Sequence, residues 1–101
     1  GGSVFDVVEQ EPVLVGGLDG LAARLVYPES ARRASVEGTV YVQFVVDVDG
    51  RPRHLTAVGA TSEALRTAAL DVVQASQFSP GRQRGRAVRV RYTLPVRFAL
   101  R

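Results

Sequence analysis

Few residues in this chain are of a kind that does chemistry. His54 is the only histidine, and it falls in a stretch that alternates as a β-strand does, where a lone imidazole reads as a structural residue rather than a general base. None of the serines stands in a Gly-x-Ser-x-Gly elbow. Cysteine is absent, which removes disulfide frameworks, zinc knuckles and thiol catalysis from consideration. There is no His-Glu-x-x-His pattern and no cluster with metal-ligand spacing. Asp47-Val48-Asp49-Gly50 is similar to the opening of a calcium loop, but the third ligand before the glycine is missing and the twelfth position is Val58 rather than Glu. A hairpin turn accounts for it better. Gly16-Gly17-Leu18-Asp19-Gly20 is glycine-rich ahead of a helical pattern, as phosphate loops are. It carries no lysine and puts Asp19 where an anion would sit. The expectation is therefore a non-enzyme with no cofactor and no metal site, and the open question is what it binds.

The charges offer a first clue. All 13 basic residues are arginine, and the net charge is +3. The acids crowd the start (Asp6, Glu9, Glu11, Asp19, Glu29), whereas positions 72–101 hold arginines and no acid. Such polarity suits an anionic partner, or an acidic start folded against a basic end. Nucleic acid is not expected: Tyr92 and Phe98, the aromatics among the last arginines, share an apolar face with Val90 and Val96 and make no stacking platform.

The elements that must carry these residues follow from periodicity. With 101 residues, 46% apolar and 23% charged, the chain is one ordinary globular domain. No apolar run is long enough to cross a bilayer. The chain opens on Gly1-Gly2-Ser3 rather than Met and reads as an excised piece of a longer protein. Residues 4–8 and 13–15 read as short extended segments. A short helix follows near 18–25, with Asp19 as its expected N-cap. Pro28 and Glu29 open a helix over 28–35, with Arg32 and Arg33 near its end. Residues 39–47 alternate strongly, with Val40, Val42, Phe44 and Val46 on one face. Asp49-Gly50 marks a hairpin, and a weaker strand returns over 51–58. Thr61 or Ser62 caps a helix over 63–75 that stripes Leu65, Ala68, Ala69, Val72 and Val73 along one side. Phe78-Ser79-Pro80-Gly81 ends it, residues 82–86 read as a basic turn, and the longest alternation runs over 87–100. The expected fold is an α+β two-layer sandwich, helix-strand-strand-helix-strand, an antiparallel sheet with two helices on one face.

Pro95 falls in the middle of that last strand. Proline gives no N–H to a ladder and is confined to edges, strand starts and bulges, so 87–100 is expected to be an edge. A long edge invites pairing unless it is guarded. Arg89, Arg91 and Arg97 on one face, with Pro95, are suitable guards. They also suit an edge kept open to accept a strand from a partner, which would then be an extended, acid-bearing peptide. Both readings stand at this point.

The residues also match a known pattern. Tyr27-Pro28-Glu29-x-Ala31-Arg32, the run from Val36-Glu37-Gly38-Thr39 to Val46, Asp49-Gly50-Arg51, Ala68-Ala69-Leu70, Phe78-Ser79-Pro80-Gly81-Arg82 and Val88-Arg89-Val90 through Phe98 resemble the C-terminal domain of TonB energy-transducer proteins. Val8-Glu9-Gln10-x-Pro12 with Gly16-Gly17 resembles an extension seen in TonB-like proteins of the Bacteroidetes and related bacteria. Gln77 departs from the pattern, since an aromatic or basic residue is common beside the Phe, and the turn before the last strand is richer in arginine than in many relatives.

The resemblance implies a periplasmic domain of an inner-membrane-anchored protein in a Gram-negative cell, with residues 1–26 an N-terminal extension and 27–101 the TonB domain. It implies that the parent's membrane helix joins the ExbB and ExbD motor. The domain would capture the TonB box, a short extended peptide of outer-membrane receptors, by β-augmentation on its last strand. The site residues it implies are Arg89, Val90, Arg91, Tyr92, Thr93, Leu94, Pro95, Val96 and Arg97. A homodimer could use the same edge. The alternative is a TonB-like sensor or envelope-binding module, taking peptidoglycan or a partner protein, fused to another membrane protein.

Overall fold

The computed structural model describes residues 3–59 and 62–100. In chain order the elements are β1 (Val4–Phe5), β2 (Val13–Leu14), α1 (Gly17–Arg24), α2 (Glu29–Arg33), β3 (Gly38–Val46), β4 (Pro52–Val58), α3 (Glu63–Gln74), β5 (Phe78–Ser79), β6 (Gly81–Gln83) and β7 (Arg86–Phe98). The α+β class holds, but the sheet is mixed and the described residues hold three helices. The order across the main sheet is β1-β7-β3-β4, with β6 also on β7. β3 pairs antiparallel with β4 and with β7, whereas β1 runs parallel to β7.

Alternation makes the core. Val40, Val42, Phe44 and Val46 of β3, with Leu94, Val96 and Phe98 of β7, are buried on one sheet face. Leu21 of α1, Ala31 of α2 and Leu65, Ala69, Val72 and Val73 of α3 join them in one cluster. Ser62 caps α3, its side chain accepting from the Leu65 N–H at 3.2 Å; Thr61, the other candidate cap, lies outside the described residues. Phe44, Phe78 and Tyr92 meet with ring centroids 5.3–6.0 Å apart, favourable tilted geometry at the sheet centre. Tyr27 sets its ring edge-on to Phe98 at 5.6 Å, and its hydroxyl donates to the Val36 carbonyl.

Several local expectations need correction. Asp19 is not the cap of α1: Gly16, left-handed at φ 85°, holds that place, and Asp19 sits in the first turn. Residues 82–86 are not simply a turn. Arg84 and Gly85, at φ 53° and 76°, form a tight turn that joins β6 to β7, with Gln83 opposite Arg86; two left-handed residues are what a type I′ hairpin requires. The last strand ends at Phe98 rather than 100. β4 carries an extra residue, since its register on β3 jumps from Gln43↔Thr56 to Val45↔Arg53. His54, exposed and at φ 57°, lies in that bulge.

The turn between β3 and β4 is tied to the rest of the molecule. The Phe78 N–H donates to the Gly50 carbonyl at 2.9 Å, and the Gly50 backbone is left-handed at φ 82°. A Cβ on Gly50 would stand 1.9 Å from the Phe78 carbonyl oxygen, so glycine is required twice over. The early residues are laid against the same region. Val13 and Leu14 pair antiparallel with Ser79 and Phe78, Gln10 exchanges both backbone hydrogen bonds with Arg82, and Pro12 is buried.

Candidate functional site

β3 holds β7 in place over nine pairs, from Gly38↔Phe98 to Val46↔Val90, without a register shift. The direction of the backbone groups follows from strict alternation. The Asp47 N–H donates to the Arg51 carbonyl across the hairpin. Odd-numbered residues of β3 therefore point their N–H and C=O towards β4, and even-numbered ones towards β7. On β7 the residues from Val90 to Phe98 with even numbers bond β3, and those with odd numbers point to the opposite edge. Pro95 is thus odd-numbered by position: its missing N–H falls on the outer edge, where no ladder bond to β3 is lost.

That outer edge is partly taken. β1 pairs Val4 with Arg89 and Phe5 with Val90, so the edge expected to be open is occupied at its first two positions by the chain itself. From Thr93 onward no strand lies beside it among the described residues. The outward groups there are the N–H of Thr93 and Arg97 and the carbonyls of Thr93, Pro95 and Arg97, five groups on three residues.

The nine residues expected at the site divide by face. Val90, Leu94 and Val96 are buried and Tyr92 is half-buried against the aromatic cluster, so their side chains build the core and only their backbones face the edge strip. Arg91, Thr93, Pro95 and Arg97 are exposed on the other face, which no helix among the described residues covers. Tyr41, 46% exposed, stands directly opposite Pro95 on that face. Arg89, which shares the guarding face with Arg91 and Arg97 in the sequence pattern, differs from them. It is half-buried, beside β1 and within electrostatic reach of Asp47.

Two features of the site escaped the sequence. The first is an ion pair: Arg91 Nε donates to Asp6 Oδ1 at 3.2 Å, with the side chains 54% and 74% exposed. At that exposure it is worth about 0–1 kcal/mol. The second is a hollow of about 310 Å³ where the edge ends, lined by Glu37, Gly38, Thr39, Arg97, Phe98 and Ala99. A larger apolar hollow, about 550 Å³, lies on the helical layer between Val26, Pro28 and the Ala64–Ala68 side of α3, away from the edge. Asp47 and Asp49, the carboxylates of the calcium-like tetrad, both engage Arg53, at 3.4 and 3.3 Å. The Val48 N–H, and then Arg53, hold the Asp47 carboxyl below its ordinary range.

A sheet whose last long strand keeps a guarded edge, with a Tyr-Pro helix start and a Phe-x-Pro-Gly turn beneath it, is a specific combination. The family described as Gram-negative bacterial TonB protein C-terminal matches residues 23–100. The chain belongs to that family. Among curated proteins, none matches it. TonB C-terminal domains are periplasmic in Gram-negative bacteria, act as transducer and binding domains rather than enzymes, and generally interact with outer-membrane receptors. This chain is accordingly a TonB-like periplasmic domain. Its TonB match reaches back into α1, whose Leu21 lies in the core just ahead of it.

Proposed function

We propose that this TonB domain binds a short extended peptide of outer-membrane receptors, a TonB box, as an added strand on the outer edge of β7 over residues 91–97, and transmits mechanical work through it for active uptake. The observation that supports the reading most is Pro95. Its missing N–H lies on the outer side of β7, which has no strand beside it from Thr93 onward among the described residues, and five outward backbone groups remain there for a ladder. At about 0.5–1.5 kcal/mol each, those bonds amount to a few kcal/mol gross, reduced by ordering the peptide. Micromolar affinity, about 8 kcal/mol, therefore needs side-chain and electrostatic contacts to add the rest. Arg91 and Arg97 add attraction for a carboxylate on the peptide. Bonds that lie side by side along one strand load together under shear, which suits a coupling that is weak at equilibrium and must bear a pull.

Residues 27–101 then form the working domain, with 1–26 as an extension laid on it. The pull would come from an inner-membrane anchor and the ExbB and ExbD motor. A chemical-shift titration with acid-bearing TonB-box peptides tests the binding. Shifts centred on 91–97 are expected; shifts centred on Val26, Pro28 and α3 instead would overturn the assignment of the edge.

A further inference from the structure

The segment that already sits on β7 has the chemistry expected of the partner. Val4, Phe5, Asp6, Val7 and Val8 form a short apolar, largely β-branched run around one acid. Val4 and Phe5 occupy the lane beside Arg89 and Val90, and Asp6 reaches forward to Arg91. Because β1 is parallel to β7, an extended continuation would carry Asp6, Val7 and Val8 along the open part of the edge. The chain instead bends at Asp6 and Val7. Val7 stands 85% exposed, and Gln10 is already paired with Arg82.

We propose that residues 4–6 are an internal stand-in for the partner peptide, with Asp6 holding on Arg91 the place that a partner's carboxylate takes. The inference rests on the reading of β7 as the receptor-binding edge and adds to it the partner's chemistry and a gate. Arg91 becomes the residue that reads an acid, and the occupant it selects is an extended peptide with apolar, β-branched residues around one carboxylate. The stand-in is built to be displaced. Two paired residues, the half-buried side chains of Val4, Phe5 and Val8 and one well-exposed ion pair hold it, whereas Glu9 and Gln10 remain anchored behind it: the Glu9 N–H donates to Gln83 and its carboxylate accepts from the Arg84 N–H. Residues 3–8 can therefore leave the edge as a flap hinged at Glu9 without disturbing β6. While the flap is down, apparent affinity for a peptide that needs Arg91 falls by the fraction of open domain.

Two altered chains test this, one lacking residues 1–7 and one carrying Asp6→Asn. The probe is the synthetic peptide Ser-Val-Phe-Asp-Val-Val-Glu-Gln, the chain's own residues 3–10, and the same peptide with its Asp replaced by Asn, followed by chemical shifts on residues 89–93. The truncated domain is expected to bind the acidic peptide about three- to tenfold more tightly than the intact domain does. The Asn peptide should bind it about two- to fivefold more weakly. Asp6→Asn, which leaves the backbone of the flap intact, should raise the affinity of the intact domain for the acidic peptide. Equal affinity across intact, truncated and Asp6→Asn chains, with shifts still on β7, would overturn the stand-in and leave the edge reading in place. No shifts on β7 in any chain, with this peptide or with TonB-box peptides, would overturn the edge reading itself.

Discussion

Replacing Gly50 by alanine puts a methyl group where the fold has no room. The backbone there is left-handed at φ 82°, and the added carbon would meet the Phe78 carbonyl oxygen at 1.9 Å and its carbon at 3.1 Å. Both are backbone atoms, so no rotamer change relieves the clash, and β5 must move. The left-handed conformation costs an alanine about 1–2 kcal/mol. Moving β5 loses the Phe78 N–H to Gly50 bond, about 0.5–1.5 kcal/mol. The stiffer unfolded chain returns about 0.4–1 kcal/mol. The net is about 0.5–3 kcal/mol before any loosening of the β2–β5 pair. Gly85 provides the control, because it is also left-handed, at φ 76°, but has nothing within 4 Å of an added Cβ. Gly85→Ala keeps only the backbone terms, about 0–1.6 kcal/mol, and should cost less than Gly50→Ala by the clash and the lost bond. Urea denaturation of the two variants beside the parent chain reads the difference directly. Equal losses would refute the close approach of β5 to the hairpin, and with it the account of how that region is assembled.

Other perturbations separate fold from binding. Arg97→Gln is expected to leave stability within about 0.5 kcal/mol, to weaken an acid-bearing peptide and to flatten the salt dependence of its binding; parallel losses of melting temperature and affinity would place Arg97 in the fold instead. Asp47 has its pKa lowered by the Val48 N–H and Arg53, so its charge stabilises the fold above the ordinary carboxylate value of about 3.9 and that contribution is lost as pH falls through the depressed value. Urea midpoints at about pH 7 and pH 3 should converge between the parent and Asp47→Asn at the acid end. Tyr27 has its pKa raised, by burial first and by Glu37 second. Its contribution is whole below about pH 10 and is lost as pH rises, and Tyr27→Phe should remove that alkaline loss while lowering the midpoint at neutral pH.

The parts that could be read in the sequence are those that carry their own period. β3 and β7 alternate over nine and 13 residues, enough to set which face is buried, and a proline in the second of them fixes the side on which pairing stops. Ser62 announces α3 because a hydroxyl three residues before Leu65 is a local arrangement. What could not be read depends on partners far along the chain. Residues 4–8 and 13–15 read as extended, but what they pair with does not: β1, β2 and β5 are two residues each, too short for a period, and β7 or one another supplies the other half of the ladder. The turn read over 82–86 is there, but the hairpin it closes is not legible, because Arg84 adopts a conformation usually given to Asn or Gly. The Asp6–Arg91 pair joins residues 85 positions apart. Charge polarity between the chain's two ends foretold an attraction but not its address. The bulge at His54 has no signal in residue type at all.

The central claim is that a partner adds as a strand to the outer edge of β7, and amide hydrogen exchange tests it residue by residue. In the free domain the N–H groups of Thr93 and Arg97 point outward and have no ladder partner among the described residues, whereas those of Leu94 and Val96 point into β3. Adding a TonB-box peptide should slow exchange at Thr93 and Arg97 and leave Leu94 and Val96, already protected, nearly unchanged. Unaltered exchange at Thr93 and Arg97 under saturating peptide, with slowing elsewhere on the domain, would contradict the account.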